Sequence, residues 1–142
     1  MSHHTLYERL GGGAAITAVI DDFVGRCAAD SRINPKFAKT DVPRLKQMLV
    51  EQVSAATGGR VQYTGRSMSE THRGMQVTAG EFDALVEDLV ATLNKFGVPD
   101  AAQAQLLGIL GPLRGDIVEV ESPATGTALP ETYQPAPPLA AV

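Results

Sequence analysis

The sequence predicts an all-α domain, and three observations lead to this prediction. Apolar residues recur at helical spacing in four separate stretches of the chain. Breaks that contain glycine or proline separate these stretches from one another. No stretch of useful length alternates apolar and polar residues as a strand would, and no internal repeat is evident.

Composition describes a globular domain of ordinary polarity. The chain has 142 residues, of which 44% are hydrophobic and 20% charged, enough for one domain with a real core. A net charge of −4 argues against nucleic acid as a partner. The single cysteine, Cys27, excludes an internal disulfide and suits a reducing cytosol. No apolar run resembles a signal peptide or a membrane span, so we expect a cytoplasmic protein without a membrane partner.

The first two predicted helices are separated by glycines. Thr5 and Glu8 form a capping box that opens a very short helix. Gly11–Gly13 ends it, and a long helix is predicted over 14–29. Its apolar stripe consists of Ile16, Val19, Ile20, Phe23, Val24 and Cys27.

The third helix has clear signals at both ends. Asp41 followed by Pro43 predicts its start, and Gly58-Gly59 predicts its end just after Thr57. Its apolar positions are Leu45, Met48, Leu49 and Val53.

Two further helices complete the prediction. Thr78 and Glu81 form a second capping box, and the helix that they open continues to about Phe96. A final helix begins near Asp100, and Pro112 should kink it. The apolar stripes of these two helices are Phe82, Leu85, Val86, Leu89, Val90 and Leu93, and Leu106, Leu107, Leu110, Leu113 and Ile117.

The last 20 residues differ in composition from the rest. They hold five of the nine prolines together with many Ala and Thr residues. Such a stretch cannot bury a core, so we divide the chain into a domain over 1–122 and a disordered, dispensable tail over 123–142.

His72 is the strongest candidate for a functional residue. A neutral imidazole is a common axial ligand of haem iron, and the porphyrin face needs apolar packing beside it. Met68 lies four residues before His72 and Met75 three after it, so both share its helical face. Taken alone, the pattern also fits a histidine that is packed or lies at the surface.

The resemblance of other segments of the chain to a known family supports a functional role for His72. Four segments closely resemble group I truncated haemoglobins, and the resemblance runs from about Thr5 to Val118. The segment before His72 fits the proximal motif Tyr-x-Gly-Arg-x-Met-x-x-x-His. The other three are Leu6-Tyr-Glu-Arg-Leu-Gly-Gly12, Arg32-Ile-Asn-Pro-Lys-Phe-Ala38 and Gly97-Val-Pro99.

This resemblance implies a two-over-two helical sandwich that binds haem between the helix at 43–57 and a short helix carrying His72. The globin-type phenylalanine maps onto Phe37, and Phe23 maps onto another wall position; by physics alone both could be ordinary core residues. The proximal wall should be completed by Met68, Met75, Phe82, Val86 and Leu89. Candidates to hold the propionates are Thr40 and Tyr63, which match family positions, and Lys46 and Arg66, which could equally be solvated surface charges.

The distal positions depart from the family. Many members stabilise bound dioxygen with a Tyr and a Gln, where this chain has Val24 and Leu49. Leu45 replaces the distal His of other globins, and Met48 stands where some members supply a second axial ligand. Gln52 is the one polar residue left on this stripe, and its alternative is a surface glutamine.

The resemblance implies a protein that binds a diatomic gas at the iron of haem b, which is held noncovalently because no His lies near Gly115. Dioxygen binding and oxygen transport are the family expectation, with nitric oxide and carbon monoxide as other ligands. The alternatives are a nitric oxide-detoxifying or peroxidase-like enzyme with an external reductase, a redox or electron-transfer protein with Met48 as sixth ligand, and a helical domain without cofactor. Whether the chain is an enzyme stays open, and we expect a monomer or a weak homodimer.

Overall fold

The computed structural model describes residues 5–59, 68, 72–131 and 133. Within these residues the chain forms helices and no strand, apart from an isolated bridge between Thr78 and Val120. The all-α prediction is confirmed. The helices are α1 (Leu6–Arg9), α2 (Gly12–Ala29), a 3-10 turn (Asn34–Phe37), α3 (Val42–Ala56), α4 (Ala79–Lys95), α5 (Asp100–Leu110), a second 3-10 turn (Gly111–Leu113) and α6 (Arg114–Ile117).

Side-chain caps explain where three of these helices begin. The hydroxyl of Thr5 accepts a hydrogen bond from the Glu8 amide, and the Asp41 carboxylate accepts one from the Arg44 amide. At α4, Thr78 and Glu81 form the complete capping box that the sequence predicts. The chain turns between α1 and α2 at Gly11, whose φ of 104° lies in the left-handed region that glycine tolerates.

Helix α2 is the centre of the packing. It lies against α3 on one side and against α4 on the other. Two apolar clusters result, one joining α2 to α4 and α5 around Phe23, Leu89 and Leu106, and one joining α2 to α3 around Ile16 and Ile20. The space between these clusters is the cavity described in the next subsection.

The end of the domain differs from the predicted single kinked helix. Helix α5 ends at Leu110, a 3-10 turn covers Gly111–Leu113, and α6 runs for four residues from Arg114. Pro112 has no amide proton to continue the α-helical ladder, and its ring crowds the preceding turn. The helix is therefore interrupted rather than bent.

The chain after α6 also differs from the sequence prediction. The predicted tail begins at Pro123, but the described residues up to 131 lie against the domain through hydrogen bonds. The Gly80 amide donates to the Ser122 carbonyl over 3.0 Å, and the Gly126 amide donates to the Arg32 carbonyl. Composition misses this because the contacts use backbone groups, hydroxyls and two buried charged side chains rather than apolar side chains. No helix among the described residues is long and apolar enough to cross a membrane.

A pair of carboxyl groups beside Cys27 makes the stability of this fold depend on pH. Asp88 has one oxygen, Oδ2, that is buried without a hydrogen-bond partner in the described part of the chain. Burial, followed by the hydrogen bond and the charge of Asp30, raises the pKa of Asp88 to about 6. Burial also raises the pKa of the Cys27 thiol to about 12, so this thiol stays protonated.

We expect Asp88→Asn to remove a loss of stability that the wild-type protein shows above pH 4. A carboxyl whose folded pKa lies above its unfolded value binds its proton more tightly when folded, so stability falls as pH rises through that interval. The amide mimics the protonated acid and should raise the free energy of unfolding at pH 7.5 by on the order of 1–3 kcal/mol. Urea unfolding at pH 4.5 and 7.5 measures this. Glu87→Gln, which changes the exposed carboxylate next to Asp88 in the sequence, is the control. If the free energy of unfolding changed equally with pH in wild type and in Asp88→Asn, Asp88 would not be the group responsible.

Candidate functional site

A largely apolar cavity of about 520 Å³ lies between the helices. On one side it is bounded by α2 and α3, and on the other by Met68, residues 72–77, α4, α5 and α6. Its size falls within the range of roughly 300–1,000 Å³ that small-molecule and cofactor sites occupy. The two apolar clusters of the fold form its walls, so whatever fills it would complete the core.

His72 lines this cavity and has one of its ring nitrogens held by a hydrogen bond. Its Nδ1 lies 2.8 Å from the Met68 carbonyl oxygen. A carbonyl can only accept, so Nδ1 carries the proton and donates it, and Nε2 of the neutral ring keeps its lone pair. Burial lowers the pKa of His72, which also favours the neutral ring. A neutral imidazole oriented through its second nitrogen is the usual state of a metal-binding histidine.

The wall around His72 consists of apolar side chains. Met68, Met75 and Phe82, all predicted for this wall, line the cavity, and Leu89 does as well. Val86, which was predicted for the same wall, is half-buried and does not line the cavity. Leu85 lines it instead. The apolar residues of α4 that line it are Phe82, Leu85, Leu89 and Leu93. Spacing alone could not exclude Val86, which lies four residues after Phe82 and three before Leu89.

The opposite wall carries the distal residues. Leu45, Met48, Leu49 and Gln52 from α3 all line the cavity, so the side chain of Gln52 is not confined to the outer surface. Val24 lines it too, in place of the tyrosine that many relatives would have. Phe23 and Phe37, both predicted to contact the haem, also line the cavity on this side.

Charged and polar side chains gather at one edge of the cavity. Thr40 lines it as predicted, and Lys39 and Arg44 line it without having been predicted. Lys46 instead turns away and pairs with Asp21 over 2.6 Å. Helical spacing explains the difference, since Arg44 precedes Met48 by one turn whereas Lys46 lies two residues from it. Tyr63 and Arg66, the other predicted propionate contacts, lie outside the described residues.

Two buried charges also face the cavity, and the sequence prediction missed both. Lys36 is 4% exposed and Glu81 is 2% exposed, and Nζ of Lys36 lies 3.7 Å from Oε1 of Glu81. The capping-box pattern at Thr78 identified Glu81 as a helix cap only. The ion pair depends on a tertiary approach between α4 and the first 3-10 turn, for which the sequence offers no local signal.

These residues suit a flat, apolar metal complex with acidic substituents. The walls are apolar, the one imidazole that faces the cavity is neutral with an available Nε2, and two cations lie at one edge. Haem needs these three features: an axial nitrogen ligand, apolar packing for the porphyrin, and donors for its propionates. The residues present therefore fit haem.

Comparison with known protein families supports the same cofactor. Residues 5–119 match the family model described as bacterial-like globin. Among curated proteins, the chain is 34% identical over 118 residues to "Group 1 truncated hemoglobin GlbN" of Mycolicibacterium paratuberculosis, covering 83% of this chain and 87% of that protein. It is 37% identical over 111 residues to the protein of the same name from Synechocystis, covering 75% and 90%.

Solved structures give a similar result. The truncated hemoglobin of Tetrahymena pyriformis in its Fe(III) form has a TM-score of 0.78 at 33% identity, covering 81% of this chain and 98% of that one. The 2/2 hemoglobin of Synechococcus, solved in the cyanomet state with covalently attached heme, has a TM-score of 0.77 at 34% identity over the same shares of the two chains. The two-over-two arrangement expected from the sequence thus has matching solved structures.

Proposed function

This chain belongs to the bacterial-like globin family and, within it, to the group 1 truncated haemoglobins, and we propose that it holds haem b through His72 and reversibly binds a diatomic gas. The haem supplies an iron atom with an open coordination position for the gas. The observation that carries the proposal is the geometry of His72, which lines the cavity and whose Nδ1 donates to the Met68 carbonyl, so that Nε2 of the neutral ring keeps its lone pair.

The chain's own residues would hold the cofactor without a covalent bond. Met68, Met75 and Phe82 would pack against the porphyrin on the His72 side. Lys39 and Arg44, together with Thr40, would bind the propionates at the polar edge, because cationic and hydroxyl groups there are the donors that carboxylates need. No histidine lies near Gly115, where a covalent link would form in some relatives, so we assign haem b.

The distal wall would control which gas stays bound. A gas ligand that carries partial negative charge would be stabilised by a hydrogen-bond donor on the distal wall, worth about 1.5–3 kcal/mol for a bond to a charged group. Val24, Leu45 and Leu49 provide no such donor, and on the distal stripe of α3 that role would fall to Gln52. We therefore propose a site that releases dioxygen roughly 10- to 100-fold faster than a relative with two distal donors. Carbon monoxide and nitric oxide depend less on such a donor.

One observation favours a second function. Met48 lines the cavity from α3, and a thioether that ligates the iron opposite His72 would raise its reduction potential and suit electron transfer or redox sensing. Either function, or nitric oxide detoxification, would need an external reductase to return ferric iron to the ferrous state. We place the protein in the cytoplasm as a monomer or weak homodimer.

Titration of the purified apoprotein with haemin tests the proposed function. We expect saturation at one haem per chain, followed on reduction by a ferrous spectrum that carbon monoxide shifts. Haemin uptake that never saturates, or a ferrous spectrum that carbon monoxide leaves unchanged, would contradict it.

Substitution can distinguish the roles of the two distal residues Gln52 and Met48. We expect Gln52→Leu to speed dioxygen dissociation by roughly 10- to 100-fold, because it removes one hydrogen bond worth about 1.5–3 kcal/mol. Met48→Leu should leave the ferrous spectrum unchanged, because methionine is first a flexible core filler and coordination would require α3 to approach the iron closely. Stopped-flow dissociation and ferrous absorption spectra measure the two effects.

Each substitution serves as the control for the other. An unchanged dioxygen dissociation rate in Gln52→Leu would mean that this amide does not reach the ligand. A wild-type ferrous spectrum that is low-spin and becomes high-spin in Met48→Leu would support the electron-transfer function instead.

A further inference from the structure

Apart from its first residues, up to 119, the segment that follows α6 lies beyond the part of the chain that matches the globin family. We call residues 119–131 and 133 the C-terminal strap. Its first residue holds the loop that follows His72: the Glu119 carboxylate accepts hydrogen bonds from the amides of Gly74, over 3.2 Å, and Gln76, over 2.8 Å. Gln76 has a φ of 55°, so this loop keeps a conformation that Glu119 helps to hold.

The middle of the strap is fixed by the buried ion pair. Oε2 of Glu81 accepts hydrogen bonds from both the amide and the hydroxyl of Thr127, over 2.8 and 2.7 Å. Nζ of Lys36 donates to the hydroxyl of Thr127 over 2.9 Å and to the Ala128 carbonyl over 3.1 Å. Hydrogen bonds to charged groups are about twice as strong as neutral ones, so this part of the strap is tightly held.

The domain has a surface adapted to this approach. A Cβ on Gly80 would lie 2.3 Å from the Pro123 carbonyl oxygen, so any larger residue there would displace the strap. The hydroxyl of Thr78 donates to the Ala124 carbonyl, and the Gly126 amide donates to the Arg32 carbonyl. The strap thus crosses from the start of α4 to the loop after α2.

The strap brings Tyr133 to the cavity. Tyr133 is one of its lining residues. On one side, Lys39 donates a hydrogen bond over 2.8 Å to the Tyr133 carbonyl. On the other side, Cδ1 of the ring lies 3.7 Å from the position of a Cβ on Gly74, two residues after His72. Tyr133 therefore connects the polar edge of the cavity to the loop that follows His72, the candidate iron ligand.

We propose that the C-terminal strap is part of the haem site: it closes the open edge of the cavity, and the ring of Tyr133 covers the haem there and slows its escape. The proposal rests on the proposed haem-binding function. An aromatic ring buried on a porphyrin edge adds apolar contact that a ligand must break to leave. The hydrogen bonds at Thr127, and the one over 2.9 Å that the Tyr133 amide donates to the Pro130 carbonyl, all involve residues no later in the chain than Tyr133.

The rate of haem transfer to excess apomyoglobin measures this role. We expect Tyr133→Ala to speed haem loss by about tenfold and Tyr133→Phe to change it less than about twofold, since the ring rather than the hydroxyl provides the cover. Truncation after Pro130 retains the Thr127 anchor and removes Tyr133, so it should match Tyr133→Ala. Truncation after Tyr133 is the matched control and should behave as wild type.

A second readout uses the apoproteins, so that misfolding is not mistaken for lost cover. Circular dichroism and thermal melting of the apo forms should be the same for wild type, Tyr133→Ala and the Pro130 truncation. Wild-type rates of haem loss in both of these variants would overturn the proposal while leaving the haem-binding function intact. A wild-type protein that takes up no haem would overturn the function itself.

Discussion

His72→Ala is expected to lose haem at least about 100-fold faster than the wild-type protein. Residues that only orient a metal ligand are worth roughly 10- to 100-fold in metal affinity, so removal of the ligand itself should exceed that. The substitution removes the whole imidazole, including Nε2, and leaves the Met68 carbonyl in place because it is a backbone group. Haem transfer to apomyoglobin and the haem-to-protein ratio after purification measure the effect.

Met75→Leu is the matched control for this prediction. Met75 lines the same wall and has no ligand role in the proposed site, and a volume-conserving apolar exchange usually costs less than about 1.5 kcal/mol. We expect it to retain haem within a few-fold of wild type. Stoichiometric haem with an unchanged spectrum in His72→Ala would exclude His72 as the iron ligand.

Glu81→Ala should lower the free energy of unfolding by about 3–5 kcal/mol, the cost of leaving one member of a buried ion pair without its partner. The Lys36 ammonium would remain 4% exposed with no facing carboxylate, and Thr127 would lose its acceptor. A domain of this size is stable by about 5–15 kcal/mol, so the variant should approach global unfolding at moderate urea concentrations. Equilibrium urea denaturation followed by circular dichroism measures the loss.

The exposed ion pair between Arg114 and Glu121 provides the control. Its Nη1 and Oε1 are 3.0 Å apart, but the Glu121 side chain is 72% exposed, and solvent screens such pairs so that they contribute little to stability. We expect Glu121→Ala to lower the free energy of unfolding far less than Glu81→Ala does. An equal, small loss in both variants would show that the Lys36–Glu81 pair contributes no more than a surface contact.

Local patterns in the sequence predict most of the fold and part of the site. The capping residues Thr5, Asp41 and Thr78 identify three helix starts because a cap needs only neighbours in sequence. The apolar stripe of α3 identifies Leu45, Leu49 and Met48 as cavity residues for the same reason. Helical spacing also places Arg44 one turn before Met48, although the sequence analysis named Lys46 as the candidate propionate donor.

Contacts between distant segments could not be predicted in this way. The strap is held by contacts among Lys36, Glu81 and Thr127, and every pair of these residues is at least 45 positions apart in the sequence. A Pro- and Ala-rich composition indicates that a segment has no apolar core of its own, but it does not indicate whether another part of the chain will bind its backbone. Tyr133 reaches the cavity because the strap is held in this way, so local sequence patterns could not identify it as a site residue.

The measurement that most directly tests the central claim is haem binding by His72→Gly with and without imidazole. Removing the side chain leaves room for a free imidazole at the position of the ring, while the Met68 carbonyl remains to accept its N–H. We predict weak haem binding by the variant alone and saturable recovery of one haem per chain, with a wild-type ferrous spectrum, as imidazole is added; Met75→Gly should show no imidazole dependence. Tight binding of one haem by His72→Gly without imidazole, with the wild-type ferrous spectrum, would contradict the account.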